Sequence, residues 1–346
     1  MKILFDSHTH INNDTYSEEE RAQLIADIEA SDVAYAMDIG FDLASSERAV
    51  SDAALLPWCY AAVGVHPHDT KTMTEEIYEK LRRLAGQPKV QAIGEIGLDF
   101  YYNHSDAEDQ RYWFRRQIRL ANALRMPIAI HAREADQETM DILKEEGAFS
   151  DERCSWFPLR PGTGVGRKAD AGARQKKTCA GQSGAYGSAE TTFGTVQVGA
   201  CAEAAETDVL RNAMMNDAKE SGRVGANDCT GRCCMEKDAR VLLHCFSGSR
   251  ELAEQYVKLG ATISIAGPVT YKNNRKTSEV VSAIPIEYLL VETDAPYLTP
   301  EPYRGKKNKS PYVEYTARRV ALLKGMPYEE VARRTLENAK RFYGIE

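Results

Sequence analysis

The chain has 346 residues, 43% of them hydrophobic and 27% charged, with a formal net charge of −7. Those values describe a globular protein with a sizeable core and exclude a broad basic surface coated by nucleic acid. No apolar run approaches the ~18 residues of a membrane span. The opening "MKILFDSHTH" turns polar too soon for a secretory signal, so a cytoplasmic protein is expected. In chain order, short apolar runs predict strands at 2–8, 33–39, 58–65, 89–95, 127–131, 240–245, 261–266 and 287–293. Helical patterns lie between them. Ser17 with Glu20 and Ser105 with Glu108 have capping-box spacing, and Phe114, Ile118, Ala121 and Leu124 form a stripe suited to packing on a sheet. Eight strands alternating with helices predict a parallel α/β fold, a (β/α)8 TIM-like barrel. The runner-up, an open doubly wound sheet, lacks a glycine-rich phosphate turn after the first strand.

Residues 151–238 break the pattern. They hold half of the 24 glycines and six of the eight cysteines, and they carry Ala/Gly/Ser/Thr stretches such as "GQSGAYGSAETTFGT". Such a composition buries too little apolar surface to offset its ordering entropy. The expected organisation is one barrel from 1–150 and 239–346, with 151–238 an insertion between helix 5 and strand 6, largely disordered. An insertion in an αβ connection falls on the barrel face opposite an active site. "CTGRCC" within it lacks the paired CxxC of a zinc site.

Polar residues at the carboxyl ends of barrel strands converge on one mouth. Strand one ends in "FDSHTH", where His8 and His10 share a face by the two-residue period of a strand. Strand four brings Glu95 and Asp99, strand five His131, strand six His244, and strand eight Glu292 and Asp294. Four of the seven histidines thus fall on one rim. Packing explains this poorly, because buried charge and imidazole are costly unless they pair or coordinate. The ligand count of His8, His10, Glu95, His131, His244 and Asp294 suits two divalent ions, with Mg²⁺, Mn²⁺ or Zn²⁺ as candidates. A carboxylate is expected between the two ions, and Asp294 is expected to serve as general base. His66, His68, Arg133, Lys306 and Lys309 are expected substrate contacts. Phe100, Tyr101 and Tyr102 could stack an unpaired base.

The motifs "DSHTH", "GEIGLD", "IHAREA", "HCFSG" and "ETDAPYL" resemble those of TatD-type metal-dependent hydrolases, within the wider amidohydrolase-like barrels. The likeness runs to about residue 150 and resumes near 238. It implies one ion held by His8, His10, Glu95 and Asp294, with Glu95 bridging to a second held by His131 and His244. It also implies a deoxyribonuclease, typically a 3′-to-5′ exonuclease, acting on DNA ends or small phosphodiesters without an obligate protein partner. Two other classes stay open: a metal-dependent hydrolase of amides or acyl esters, and a non-catalytic metal-binding protein with a closed site. A phosphate substrate calls for Arg133 and the lysine loop near the mouth.

Overall fold

The structure is a computed structural model that describes residues 2–161 and 235–346. Its parallel strands β1 (Leu4–Thr9), β2 (Val33–Ile39), β3 (Cys59–Val63), β4 (Val90–Asp99), β5 (Ile128–Arg133), β6 (Val241–Leu243), β7 (Thr262–Ile265) and β8 (Leu289–Val291) pair in chain order. Beyond the end of β8, the Asp294 amide donates to His8 O and the His10 amide to Ala295 O, both at 2.9 Å, which joins the segment after β8 to the end of β1. Around the sheet lie α1 (Glu18–Ala30), α2 (Leu43–Leu55), α3 (Glu75–Ala85), α4 (Ala107–Leu124), α5 (Asp136–Glu145), α6 (Asp151–Ser155), α7 (Arg250–Lys258), α8 (Arg275–Ala283), α9 (Val313–Lys324) and α10 (Tyr328–Tyr343). No helix among the described residues is long and apolar enough to cross a membrane.

The barrel interior is apolar at depth. Phe5, Met37, Ala62, Ala92, Ala129, Leu242 and Leu290 meet there, and Phe342 and Tyr343 at the end of α10 pack onto them. A larger cluster fills the space between the sheet's outer face and the helices, including the expected Phe114, Ile118 and Ala121 of α4. The Ser17–Glu20 capping box forms. The one expected at Ser105 does not. Helix α4 starts at Ala107 with Asp106 at its N-cap and no side-chain cap, and the Ser105 hydroxyl instead donates to His68 O at 2.7 Å and accepts from Lys71 N at 3.1 Å.

Ordered chain also runs past the boundary expected at 150. The stems of the insertion, 151–161 and 235–238, are built onto the amino ends of the strands. Arg153, fully buried, donates to Met126 O and Ala239 O just before β5 and β6. Arg160, also fully buried, pairs with Asp238 at 2.9 Å and reaches Thr262 Oγ1 at 3.0 Å. Arg160 and Pro161 form an antiparallel ladder with Glu236 and Met235. The two stems therefore enter and leave side by side, on the face away from the mouth. The remainder of the insertion, 162–234, lies outside the described residues, as does the expectation of disorder there.

Candidate metal centre

Two irregular strands and three regular ones aim the expected ligands at one point. Strict alternation would put Phe5 and His8, three residues apart, on opposite faces of β1, and likewise Ala92 and Glu95 in β4. The register of β1 shifts between Asp6 and Thr9, and that of β4 between Ile93 and Ile96. An irregularity of this kind changes which face the following side chains take. His8 and Glu95 consequently sit above the apolar interior rather than under the helices. In β5 and β6 no correction is needed, since His131 and His244 follow the inward Ala129 and Leu242 by two residues. Gly97 allows β4 and β5 to approach here, because a Cβ at that position would lie 1.9 Å from His131 O. Asp294 adopts φ +56°, an uncommon conformation for a non-glycine residue that turns the chain back over the mouth.

Glu95 is the hub. Its Oε2 faces His8 Nε2 at 3.3 Å and His10 Nε2 at 3.7 Å, while Oε1 faces His131 Nδ1 and His244 Nε2 at 2.9 Å each and His66 Nε2 at 3.4 Å. Asp294 Oδ1 completes the first set, 3.4 Å from His10 and 3.9 Å from His8. All six ligands proposed from the sequence thus meet. His66, expected as an outer substrate contact, lies inside the cluster with them.

Burial alone would raise the Glu95 carboxyl. The charges of His244 and His66 and hydrogen bonds from His131 and His244 outweigh it and hold the group well below the usual carboxylate range. Asp294 is lowered against burial by His10, His244 and His8. His244 is driven well above its ordinary value, burial being overcome by Glu95 and Glu292. His10 and His131 are raised in the same manner, His10 by Asp294 and Glu95, His131 by Asp99 and Glu95. Burial keeps His8 and His66 low, the second strongly so.

A second ring of residues orients the first. His10 Nδ1 bonds Ile39 O at 2.8 Å, His131 Nε2 bonds Asp99 at 3.1 Å, and His244 Nδ1 bonds Glu292 at 3.2 Å. Fixing one ring nitrogen leaves the other aimed inward with a defined tautomer. The sequence suggested Asp99 and Glu292 as strand-end acids. It gave no signal for Asp6, which accepts from Thr293 N, Thr293 Oγ1 and Ser310 Oγ and so holds the chain that carries Asp294. Nor did it point to Asn12, which bridges Asp38 and Ile39 O behind His10.

Above the centre opens a cavity of about 710 Å³, lined among others by Phe41, Tyr102, Arg133, Cys245 and Tyr297. His68 also lines it, bonded to Asp99 at 2.9 Å. Lys306 and Lys309, expected as substrate contacts, are not among the residues that line the cavity. Carboxylates on α1 capture this loop: Lys309 pairs with Asp27 at 2.7 Å and Lys307 with Glu20 at 3.0 Å, while Lys306 lies over Tyr303.

The donor set fits a divalent cation. Both ring nitrogens of the fully buried His8 lack a hydrogen-bond partner. An unsatisfied buried polar group costs roughly 1–3 kcal/mol, and a cation at Nε2 removes that cost. Three groups bring donor atoms within mutual reach of one ion: His8, His10 and Glu95; His8, His244 and Asp294; and His66, Glu95 and His131. Imidazole nitrogens mixed with carboxylate oxygens suit Zn²⁺ or Mn²⁺ at least as well as Mg²⁺.

Comparison with known proteins agrees with this chemistry. A family model described as "TatD related DNase" matches residues 5–153 and 224–344. The uncharacterized metal-dependent hydrolase YabD of Bacillus subtilis is 33% identical over 343 residues, covering 99% of this chain and all of that protein. The 3′-5′ ssDNA/RNA exonuclease TatD of Erwinia tasmaniensis is 26% identical over 348 residues, with 99% and 100% covered. Among solved structures, the TatD homologue YjjV of Escherichia coli superposes with a TM-score of 0.68 at 20% identity, covering 100% of this chain and 99% of that one, a likeness of fold. The chain belongs to the TatD-related DNase family and is a metal-dependent hydrolase.

Proposed function

We propose that the protein is a two-metal phosphodiesterase that removes nucleotides from an unpaired 3′ end of DNA or RNA. The observation that carries this reading is the division of Glu95, whose two oxygens face two different sets of imidazoles. His8, His10, Asp294 and Glu95 Oε2 would hold one ion, and His131, His244 and Glu95 Oε1 the other, with His66 available to the second. Divalent ions bound there would supply Lewis acidity to the phosphoryl group and lower the pKa of a water toward about 7.

The chain's own groups account for the rest. Asp294 keeps a little exposure, with 14% of its side chain accessible, and is suited to take the proton of the attacking water. Arg133 lines the mouth, where its guanidinium can neutralise phosphate charge. That guanidinium lies 4.2 Å from the ring centre of Tyr101 and 4.6 Å from that of Tyr102. Tyr101, Tyr102 and Tyr297 are each about half exposed, at 53%, 49% and 52%. Aromatic faces beside a cation bind unpaired bases without regard to sequence, and a stacked duplex end offers them none. The exonuclease named TatD in Erwinia tasmaniensis acts, by its name, on such strands.

The test is hydrolysis of end-labelled single strands by metal-stripped protein, before and after addition of Mg²⁺ or Mn²⁺, alongside Asp294→Asn. Activity should require the metal, shorten the strand from its 3′ end, and fall about 10²–10⁴-fold in the variant. Cleavage that survives chelation, or proceeds unchanged in Asp294→Asn, rejects the mechanism.

A further inference from the structure

A second large concavity, of about 670 Å³, lies between α7 and α8. Arg250, Lys272, Arg275 and Arg319 line it, opposed by Glu251 and Glu279. The same two loops line both this groove and the mouth. Ser247 borders the mouth and Arg250, three residues on, the groove; Pro268 borders the mouth and Lys272, four residues on, the groove. At no more than about 3.6 Å per residue, the groove begins within roughly 14 Å of the mouth. A strand a few nucleotides long spans that.

The cations there differ in how they are held. Arg250 pairs with Glu254 at 2.7 Å, and Arg319 reaches Val269 O at 3.4 Å. Lys272 and Arg275 are exposed and form no ion pair among the described residues. Arg304, also exposed, lies 4.3 Å from the ring centre of Tyr271 and adds positive charge beside Lys272. Helices α7 and α8 both begin at the groove, capped by Ser249 and Asn274, so their amino ends reinforce the potential. These charges come from separate elements, Arg250 and Arg275 at the starts of α7 and α8, Lys272 in the loop before α8, Arg319 on α9 and Arg304 in the loop after β8. Several cations contributed by separate elements along one groove suit a chain of phosphates. On a protein whose net charge is −7, a polyanion needs such a local track.

We propose that the α7–α8 groove is a strand track, in which Lys272 and Arg275 contact backbone phosphates on the 5′ side of a nucleotide held in the mouth. The inference rests on the phosphodiesterase reading. It requires affinity to grow with strand length, whereas the chemistry at the metal centre does not depend on it.

The experiment compares wild type with Lys272→Glu/Arg275→Glu on bis(p-nitrophenyl) phosphate, a dinucleotide and a single-stranded 12-mer. Wild type should show KM falling from dinucleotide to 12-mer. In the double variant KM for the 12-mer should rise about tenfold or more, with kcat and hydrolysis of the two small substrates unchanged. The salt dependence of log KM for the 12-mer should become shallower by about 1.4, two single-strand phosphate contacts at about 0.7 each. A wild-type KM independent of length, or a double variant that matches wild type on the 12-mer, overturns the track and leaves the phosphodiesterase reading intact. A wild type that hydrolyses none of the three overturns both.

Discussion

The two ends of the barrel both bury charge, and they do so in opposite ways. At the amino end Arg160 and Arg341 converge on Asp238, so cation meets anion within the protein. At the carboxyl end five imidazoles crowd one carboxylate, and neither ring nitrogen of His8 completes a hydrogen bond although Glu95 lies 3.3 Å from its Nε2. A buried charge answered by another protein charge is a structural device. A buried surplus of lone pairs all aimed at one point is a request for a ligand.

The contrast breaks if substitutions at the two ends have interchangeable effects. Asp238→Asn leaves Arg160 buried with its charge uncompensated, which should cost about 3–5 kcal/mol of stability while metal affinity of the folded protein stays unchanged. Denaturant titration and metal titration check the two halves. Asp238 is depressed by Arg160 and Arg341 against the effect of burial. Its contribution is therefore complete above the unfolded-state value of about 3.9 and fades as pH falls through the lower folded-state value. The stability difference between wild type and Asp238→Asn should be flat from pH 7 to 5 and shrink only in stronger acid.

Glu292→Gln should show the converse. It weakens the support of His244 Nδ1, so metal affinity should drop about 10–100-fold with little change in denaturant midpoint. Tyr102→Ala, further out at the mouth, should cost about 1 kcal/mol in strand binding, roughly a fivefold rise in KM for a single strand. A loss confined to kcat would remove the stacking role. Smallest of all should be replacement of 162–234 by a short glycine–serine linker. Loop entropy changes by only about 0.6 kcal/mol per doubling of length, and the stems leave side by side. Metal affinity and hydrolysis should match wild type, and insoluble protein would count against the proposed barrel boundary.

The cluster of side chains at the candidate centre was readable because strand ends are local signals: an apolar run, then His or Glu, repeated until the rim filled. The paired histidines of "SHTH", Glu95 of "GEIGLD" and Asp294 of "ETD" reach the centre, and Asp99 and Glu292 of the same motifs brace its histidines. What stayed hidden is nonlocal. The shifts that turn His8 and Glu95 inward depend on how β1 and β4 meet their neighbours. Lys309 looked available for phosphate until α1 supplied Asp27, far away in sequence. Arg153 and Arg160, inside a segment whose composition reads as unstructured, become core residues only through carbonyls and an aspartate contributed by distant turns.

The most direct measurement is the number of ions bound per chain. Metal-stripped wild type titrated with Mn²⁺ should take up two, and Glu95→Gln, which removes the carboxylate shared by the two halves, should fail to hold both. A single ion in wild type, or two retained at unchanged affinity in Glu95→Gln, would contradict the bridged centre on which the proposed chemistry depends.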